Sequence, residues 1–316
     1  MIETVVDAMV PIARDVLLLE LVPVDGPLPG FHAGDHIDLE LGPRLVRSYS
    51  LVGTPEATPR CYRVAVALSP DSRGGSKLVH SLREGARVAV RPPASGFPLV
   101  EDAKHTVLIA GGIGITPILS MIRRLAQLDA SWELHYAARS TRAAAFLPQL
   151  ATLDPDEQRV RLYLAEGAET GRMAVGRIVA AAAENGHLYC CGPASLLDDF
   201  IAATAGLDQE RVHYERFQAD GGVVAADNKG LTIELARSGR TIRVGDGEAI
   251  LDALLDAGID VEFSCMDGVC GSCRTRVLGG TPDHRDSVLT PAERESGETM
   301  MVCTSGAKSG HLVLDL

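Results

Sequence analysis

The chain has 316 residues, 46% of them hydrophobic, and a formal net charge of −12. This length allows two or three domains, and the acidic balance argues against nucleic acid, because phosphate binding needs clustered Lys and Arg. The N-terminus lacks the pattern of a signal peptide, and no apolar run reaches the roughly 18 residues of a spanning helix. We therefore expect a cytoplasmic protein with no membrane partner, whose clustered cysteines serve metal or redox chemistry.

Residues 1–100 have the pattern of an antiparallel β-domain. Short alternating apolar runs, such as DVLLLELVPV, HIDLEL, SYSLVG, YRVAVAL and RVAVRPP, are separated by Gly and Pro. Such spacing is typical of a small barrel or sandwich, in which each strand buries one face.

Two polar segments interrupt this β-pattern. RSYS (47–50) combines a cation, a phenol and two hydroxyls, and strand alternation sends the cation and phenol to one face and the hydroxyls to the other. RGGS (73–76) offers backbone N–H groups and a hydroxyl, which suit a small anion. Taken singly, each segment is more simply interpreted as an ordinary polar strand or turn.

Residues 101–220 alternate between strand-like and helical segments. The strand-like runs are TVLIA, WELHYAA, RLYLAE and HLYCC, and the helical stretches are PILSMIRRLAQL, MAVGRIVAAAAEN and SLLDDFIAATAG. This alternation predicts βαβ units around an open parallel sheet.

Two loops in this part follow predicted strands and precede predicted helices. In TVLIAGGIGITPILSMI, the three glycines of the turn let the backbone approach a ligand, and Thr116 could cap the helix. A helix start of this kind suits a pyrophosphate, although the segment departs from the strict G-x-G-x-x-G pattern and could be a simple tight turn. CGP (191–193) is the second loop, and both loops lie where ligands bind in open α/β sheets.

Residues 229–316 return to strands after a short Gly-rich stretch, 221–228, that is typical of a linker. LTIELARSG and TIRVGDG have the pattern of strands, and AILDALLDAG that of a helix. We expect that helix to start at Asp246 or Gly247 and to end at Gly258 in a left-handed conformation.

A further helix is predicted near the C-terminus. Thr290 is expected as its N-cap, Pro291 at its first position and Glu293 as the partner that completes a capping box.

Four cysteines of this last part have the spacing C-x4-C-x2-C followed by one distant cysteine: Cys265, Cys270, Cys273 and Cys303. Zinc sites usually combine two separate short ligand clips, whereas three ligands on one loop and a distant fourth match plant-type [2Fe–2S] ferredoxins. Gly268 and Gly271 would let the loop turn its amides onto sulfur. Zinc and unligated thiols are the alternatives.

Together and in this order, RSYS, RGGS, GGIGITP (111–117), CGP, ERF (215–217) and the cysteine pattern resemble one family across the whole chain. They resemble the reductase components of Rieske-type oxygenases, the phthalate dioxygenase reductase and vanillate demethylase reductase group. The resemblance implies a multidomain fold: a ferredoxin reductase-like FMN-binding β-barrel (1–100), an open parallel α/β NAD(H)-binding domain (101–220), a linker (221–228) and a C-terminal β-grasp plant-type ferredoxin (229–316).

The resemblance also implies roles for matching residues. Arg47, helped by Gly75 and Ser76, would bind the flavin phosphate, and Tyr49 would pack on the isoalloxazine. Ser50 would lie near the reactive N5, and Phe217 would stack over the flavin face. The expected cofactor-binding residues are Arg47, Ser48, Tyr49, Ser50, Val64, Ala65, Val66, Gly74, Gly75, Ser76, Gly111, Gly112, Gly114, Thr116, Cys191, Gly192, Pro193 and Phe217, and the expected catalytic residues are Ser50, Cys191 and Phe217.

The function implied is electron transfer from NADH through FMN and a [2Fe–2S] cluster to a terminal Rieske oxygenase component, in aromatic catabolism. A flavin is needed because a nicotinamide gives up two electrons at once and the cluster accepts one. The alternatives are a general NAD(P)H:acceptor reductase and, from another class, an iron–sulfur redox sensor.

The choice of cofactors and the oligomeric state are less directly indicated. The short RGGS segment resembles that of the FMN-binding branch of the family, and this resemblance implies FMN in preference to FAD. Arg139, Ser140 and Arg142 could receive the 2′-phosphate of NADPH, but the family resembled favours NADH. A monomer is expected from the same resemblance.

Overall fold

The computed structural model describes residues 1–42, 45–70, 74–166, 173–182, 186–217 and 228–316. It divides into two compact units, Met1–Phe217 and Gln218–Leu316. Most of the predicted linker and Arg73 of the RGGS segment lie outside the described residues. The division of the first unit at residue 100 stays a prediction.

The first part of unit one is an antiparallel β-barrel. Its sheet order is β4-β3-β6-β1-β2-β5, with β7 paired to β3. Leu51, just after β4, bridges to Val64 on β5, so the outer strands meet and the sheet closes. Its elements are β1 (Ile2–Ala13), β2 (Val16–Pro23), β3 (Asp35–Gly42), β4 (Leu45–Ser50), β5 (Tyr62–Ala67), α1 (Gly75–Ser81), β6 (Arg87–Val90) and β7 (Ala94–Ser95).

A five-stranded parallel sheet follows, in the order β10-β9-β8-β11-β12. The central strand TVLIAG is buried throughout, as expected of a strand covered on both faces. The elements are β8 (Thr106–Gly111), α2 (Ile115–Gln127), β9 (Trp132–Ala138), α3 (Leu147–Leu153), β10 (Val160–Leu164), α4 (Val175–Ala182), β11 (His187–Cys191), α5 (Ala194–Thr204) and β12 (Val212–Glu215).

Barrel and parallel sheet pack against each other within unit one. Ser120 on α2 donates a hydrogen bond to the Gly53 carbonyl, and the guanidinium of Arg123 donates to the Val52 carbonyl. The rings of Phe97 and Tyr189 meet edge to face at 5.5 Å. These contacts join α2 and β11 of the parallel-sheet part to the barrel part.

Unit two has a five-stranded mixed sheet in the order β14-β13-β19-β15-β17, with a small β16-β18 pair. The predicted stripe of the first helix, which includes Ile250, Leu251 and Leu254, is buried in the core of this unit. The elements are β13 (Thr232–Leu235), β14 (Arg240–Arg243), α6 (Ile250–Asp256), β15 (Arg274–Gly279), β16 (Pro282–Asp283), α7 (Pro291–Ser296), β17 (Thr299–Met301), β18 (Gly306–Ala307) and β19 (His311–Leu314).

The sequence predicted where the two helices of unit two begin and where the first of them ends, and the structure can be compared with each prediction. Helix α7 has the predicted capping box between Thr290 and Glu293, and Gly258 has a φ of 74° just after α6. The predicted start of α6 was wrong, because its N-cap is Ala249. Gly247 is left-handed, with a φ of 74°, and this backbone conformation cannot begin an α-helix.

Within the described ranges, no helix combines the length and the apolar character needed to span a bilayer.

Candidate functional site

The four predicted cluster ligands all lie in unit two. Cys265, Cys270 and Cys273 occupy the irregular segment between α6 and β15, and Cys303 follows β17. Cys265, Cys273 and Cys303 are buried, whereas Cys270 is exposed. The fold therefore brings a distant cysteine to the loop that carries the other three.

The four thiols form two hydrogen-bonded pairs, Cys265 with Cys270 and Cys273 with Cys303. The pKa of Cys270 is lowered, first by the hydrogen bond from the Cys265 thiol and then by Ser272. Among the described residues, no three His, Cys, Asp or Glu side chains form a group that could hold a metal ion. Four cysteine thiols supplied by one loop and one distant residue fit the four terminal thiolates of a two-iron cluster.

Backbone amides of the loop point at the sulfurs. The N–H of Asp267 lies 3.3 Å from Cys265 Sγ, and Val269 and Cys270 also donate to this sulfur. Gly268 donates to the Cys303 sulfur. Hydrogen bonds to sulfur stabilise thiolates and tune a bound cluster, so the donor set fits the expected group.

Gly268 is required by this loop for two reasons. Its φ is 67°, and a Cβ would lie 2.4 Å from Thr304 Cγ2. A larger residue would push the loop away from the segment that carries Cys303.

The second candidate site lies at the carboxyl edge of the parallel sheet, where the two predicted loops interlock. A Cβ on Gly114 would lie 2.2 Å from the Cys191 carbonyl oxygen, and one on Gly192 would lie 3.1 Å from Gly111 Cα. Pro193 lies against Gly111. The structure therefore brings Gly111, Gly114 and CGP together, backbone against backbone.

Thr116 does not cap helix α2, and this expectation was wrong. A short 3-10 turn, Gly112–Gly114, precedes the helix, which has Gly114 as its N-cap. Thr116 is therefore already helical, and its hydroxyl donates to the Ile113 carbonyl at 2.9 Å.

The polar segments of the barrel also come together. A Cβ on Gly75 would lie 2.7 Å from Arg47 Cγ, so the arginine stem crosses the backbone of the RGGS segment. The Ser76 hydroxyl accepts a hydrogen bond from the N–H of Ser69. Burial raises the pKa of Tyr49 to about 12, partly offset by the Arg47 charge. A cation, a glycine backbone and a hydroxyl in one place fit a phosphate group.

Strand β5 is only partly open for a cofactor. Val64, Ala65 and Val66 are buried, and His80 Nε2 lies 2.9 Å from the Val66 carbonyl oxygen. That carbonyl therefore already has one partner within the barrel. Ala65 belongs to the apolar cluster against which Phe217 packs.

The expected catalytic residues lie at the junction of barrel and sheet. Ser50 ends β4, is buried, and pairs across the strands with His36. Cys191 ends β11 and is fully buried, and burial, then the Glu215 charge, raises the pKa of its thiol well above the usual value. A neutral thiol of this kind packs but does not act as a nucleophile.

Glu215 is a candidate that the residue-level prediction missed, although it belongs to the ERF motif. It pairs with Cys191 in the sheet, its Oε2 is buried with no hydrogen-bond partner among the described residues, and burial raises the pKa of its carboxyl to about 8. Gly96 lies between Glu215 and His36 of the barrel. A carboxyl perturbed in this way at a site edge is a functional candidate.

Comparison with known proteins agrees with this geometry. The family profile of the 2Fe-2S iron-sulfur cluster binding domain matches residues 233–308, and that of the oxidoreductase NAD-binding domain matches residues 108–201. Phenoxybenzoate dioxygenase subunit beta of Ectopseudomonas oleovorans is 50% identical, with 96% of this chain and 94% of the relative covered. Tetrachlorobenzoquinone reductase of Sphingobium chlorophenolicum is 43% identical, with 100% and 98% covered.

A solved structure covers all parts of the fold. It is described as phthalate dioxygenase reductase, a modular structure for electron transfer from pyridine nucleotides to [2Fe-2S]. Its TM-score is 0.82 at 35% identity, with 99% of this chain and 97% of that chain covered.

A barrel, an NAD-binding parallel sheet and a 2Fe–2S ferredoxin domain on one chain define an electron-transfer oxidoreductase. The chain belongs to the phthalate dioxygenase reductase family. The predicted fold class, family and enzyme class are confirmed.

Proposed function

We propose that this chain is the reductase component of an oxygenase system, which takes electrons from NADH and delivers them singly to a terminal Rieske oxygenase. The observation that carries this proposal is the paired arrangement of Cys265, Cys270, Cys273 and Cys303 on the same chain as the interlocked coenzyme loops. The names of the relatives support it, because one is a dioxygenase subunit and another a dioxygenase reductase.

The proposed cofactors are FMN, a [2Fe–2S] cluster and NADH. A bound flavin would accept two electrons together and release them one at a time to the cluster. The side chains then bind, orient and shield: Arg47 with the backbone of Gly74 and Gly75 holds the phosphate, and Ser76 adds a hydroxyl. Tyr49 and Phe217 supply apolar contact area, and Ser48 is part of the same strand segment.

The coenzyme is proposed to bind where the interlocked loops meet. Gly112, Gly192 and the residues beside them offer backbone close to this edge, and the buried Cys191 fills the space beneath it. The exposed residues Arg139 and Arg142 follow the neighbouring strand, but the preference for NADH rests on the family resemblance. A monomeric, cytoplasmic protein also remains a proposal.

Metal analysis and an absorbance spectrum test the assignment. We expect about two irons, two acid-labile sulfides and one FMN per chain, and staged bleaching of flavin and iron–sulfur bands as NADH is added anaerobically. NADPH at the same low concentration should bleach them more slowly. Zinc in place of iron and sulfide would reject the proposal, as would a flavin that NADH does not bleach.

One relative suggests a quinone as a second class of electron acceptor. The relative from Sphingobium chlorophenolicum is named for reduction of a chlorinated quinone, and it matches the whole length of this chain. Turnover of NADH with a purified Rieske oxygenase, compared with turnover with a substituted benzoquinone, discriminates between the two acceptors. Reduction that is faster with the quinone and unaffected by the oxygenase would favour the quinone.

A further inference from the structure

One buried hydroxyl joins two loops at the carboxyl edge of the parallel sheet. Tyr136 lies on β9 and is fully buried. Its hydroxyl donates to the Gly112 carbonyl oxygen at 3.2 Å and accepts from the N–H of Ala145 at 3.0 Å. Gly112 opens the turn before α2, and Ala145 lies in the connection between β9 and α3. A single phenol therefore spans both loops.

The hydroxyl of Tyr136 is a fixed donor. Burial raises its pKa to about 12, although the bond from Ala145 lowers it. The phenol thus keeps its proton across the pH range in which the protein works. A buried donor without an acceptor is costly, so the bond to Gly112 is strongly favoured.

This bond orients one peptide group of the Gly-rich turn. The Gly112 carbonyl also accepts the N–H of Ile115, so both donors hold it on the side of the protein interior. In a trans peptide the C=O and N–H point in opposite directions. The N–H of Ile113 is therefore turned away from the interior.

The peptide that Tyr136 orients is also the accessible one. Gly112 and Ile113 are half-buried, whereas Gly111 and Gly114 on either side are buried. The φ of Gly112 is 55°, and no atom of the described part of the chain would lie within 4 Å of a Cβ there. Open space thus lies beside an outward-facing amide, the type of donor that binds phosphate oxygens.

The second hydrogen bond of the Tyr136 hydroxyl, from the N–H of Ala145, fixes another loop at the carboxyl edge of the sheet. Ala145 follows Ala143 and Ala144, whose N–H groups donate to the Ser140 carbonyl at 3.0 and 3.1 Å. Holding Ala145 therefore also limits the movement of the segment that contains Arg139 and Ser140. This is the segment expected to lie near the adenosine ribose.

We propose that Tyr136 is a positioning residue for the nicotinamide coenzyme. Its hydroxyl holds the Gly112–Ile113 peptide with the amide directed toward the coenzyme pyrophosphate, and it keeps the 140–145 segment at a fixed distance from that turn. The inference rests on the proposed function, because it assumes that the coenzyme binds at this edge.

Tyr136→Phe tests the inference, and Tyr189→Phe is a matched control. Tyr189 is also fully buried, on β11 of the same sheet, and burial also raises its pKa to about 12. Its hydroxyl accepts from the N–H of Val100 at 2.9 Å and donates to the Pro98 carbonyl at 3.3 Å. Both substitutions remove one doubly bonded phenol hydroxyl, but only Tyr136 contacts the coenzyme edge.

The readout is steady-state oxidation of NADH by the holoenzyme with ferricyanide as acceptor. We expect Tyr136→Phe to raise KM for NADH about 3- to 10-fold, the effect of one hydrogen bond, with kcat within about twofold of wild type. ADP-ribose, which carries the pyrophosphate without the nicotinamide, should lose competitive affinity by a similar factor. Tyr189→Phe should lower the melting temperature to a similar extent and leave both constants unchanged.

Equal KM values in the two variants would overturn the inference, and so would a fall in kcat at unchanged KM. Failure of the proposed function has a different signature, because NADH would then not reduce the wild-type flavin at all.

Discussion

Ser50 is the side chain at which we expect the hydride step to be tuned. It is buried at the end of β4, next to the junction of barrel and parallel sheet. Ser50→Ala should slow flavin reduction by NADH about 3- to 10-fold, because one hydroxyl contact near the reacting atoms is lost, while the flavin stays bound. Stopped-flow absorbance under anaerobic conditions measures this rate.

Ser81→Ala is the control for Ser50, because Ser81 is an exposed serine at the end of α1. Equal rates of flavin reduction in the two variants would remove Ser50 from the hydride step.

The raised pKa of Glu215 predicts how the stability of the folded chain changes with pH. Its pKa is raised from 4.5 to about 8 by burial, so between these values the folded chain holds a proton that the unfolded chain has lost. This contribution to stability is fully present below about pH 4.5 and is lost as pH rises to about 8. Wild type should therefore melt at a lower temperature at pH 9 than at pH 6, and Glu215→Gln should reduce this difference by a few degrees.

Thermal melting of both proteins over this pH range isolates the contribution of the carboxyl, because the histidines titrate in both. If the melting temperatures of wild type and Glu215→Gln change with pH in the same way, Glu215 is already ionised in the folded chain.

Among the elements, the interlocked loops are the part most sensitive to a single added methyl group. Gly114→Ala would put a Cβ 2.2 Å from the Cys191 carbonyl oxygen, so the backbone of one loop has to move. We expect a loss of about 1–3 kcal/mol in the free energy of unfolding and a higher KM for NADH. Circular dichroism melting and steady-state kinetics measure the two effects.

Gly176→Ala is the matched control for that change. Gly176 lies in the first turn of α4, and a Cβ there would have no neighbouring atom within 4 Å in the described ranges. Alanine should stabilise this helix by about 0.4–1 kcal/mol and leave KM unchanged. A neutral Gly114→Ala would mean that the two loops are not in backbone contact.

The predicted helices and strands agree with the structure where residues close together in the sequence determine them. WELHYAA and HLYCC are strands over their full predicted lengths, and the Thr290 capping box forms as expected. The start of α2 could not be predicted from the sequence, because Thr116 is a good N-cap residue. The 3-10 turn before α2 makes the helix begin at Ile115, so Thr116 is already helical.

Candidate residues that depend on distant packing were harder to predict. Glu215 is an acidic residue in a polar segment, and its raised pKa arises only when barrel and sheet bury it. Tyr136 has the pattern of a core residue, and nothing in WELHYAA indicates that its hydroxyl reaches Gly112. The cysteine spacing, by contrast, predicted one site for all four thiols, and the fold brings the distant Cys303 to Cys273.

For the whole molecule, Cys270→Ser tests whether electrons leave through unit two. Cys270 is the exposed member of the four thiols, and its loss should disrupt the cluster. We expect NADH-dependent cytochrome c reduction to fall at least about 10-fold, with ferricyanide reduction largely retained, because one-electron delivery to a protein needs the cluster and flavin reduction does not.

Cys61→Ser is the control, because Cys61 is a half-buried free cysteine of the barrel. Cytochrome c reduction at the wild-type rate in Cys270→Ser would mean that electrons leave from unit one.

The close approach of Gly111, Gly114 and Gly192 has a consequence for engineering. A larger residue at any of these three positions would force the facing loop to move. A redesign toward the phosphorylated coenzyme should therefore vary Arg139, Thr141 and Arg142, whose side chains are exposed. Libraries that leave the glycines untouched should yield folded proteins far more often than those that include them.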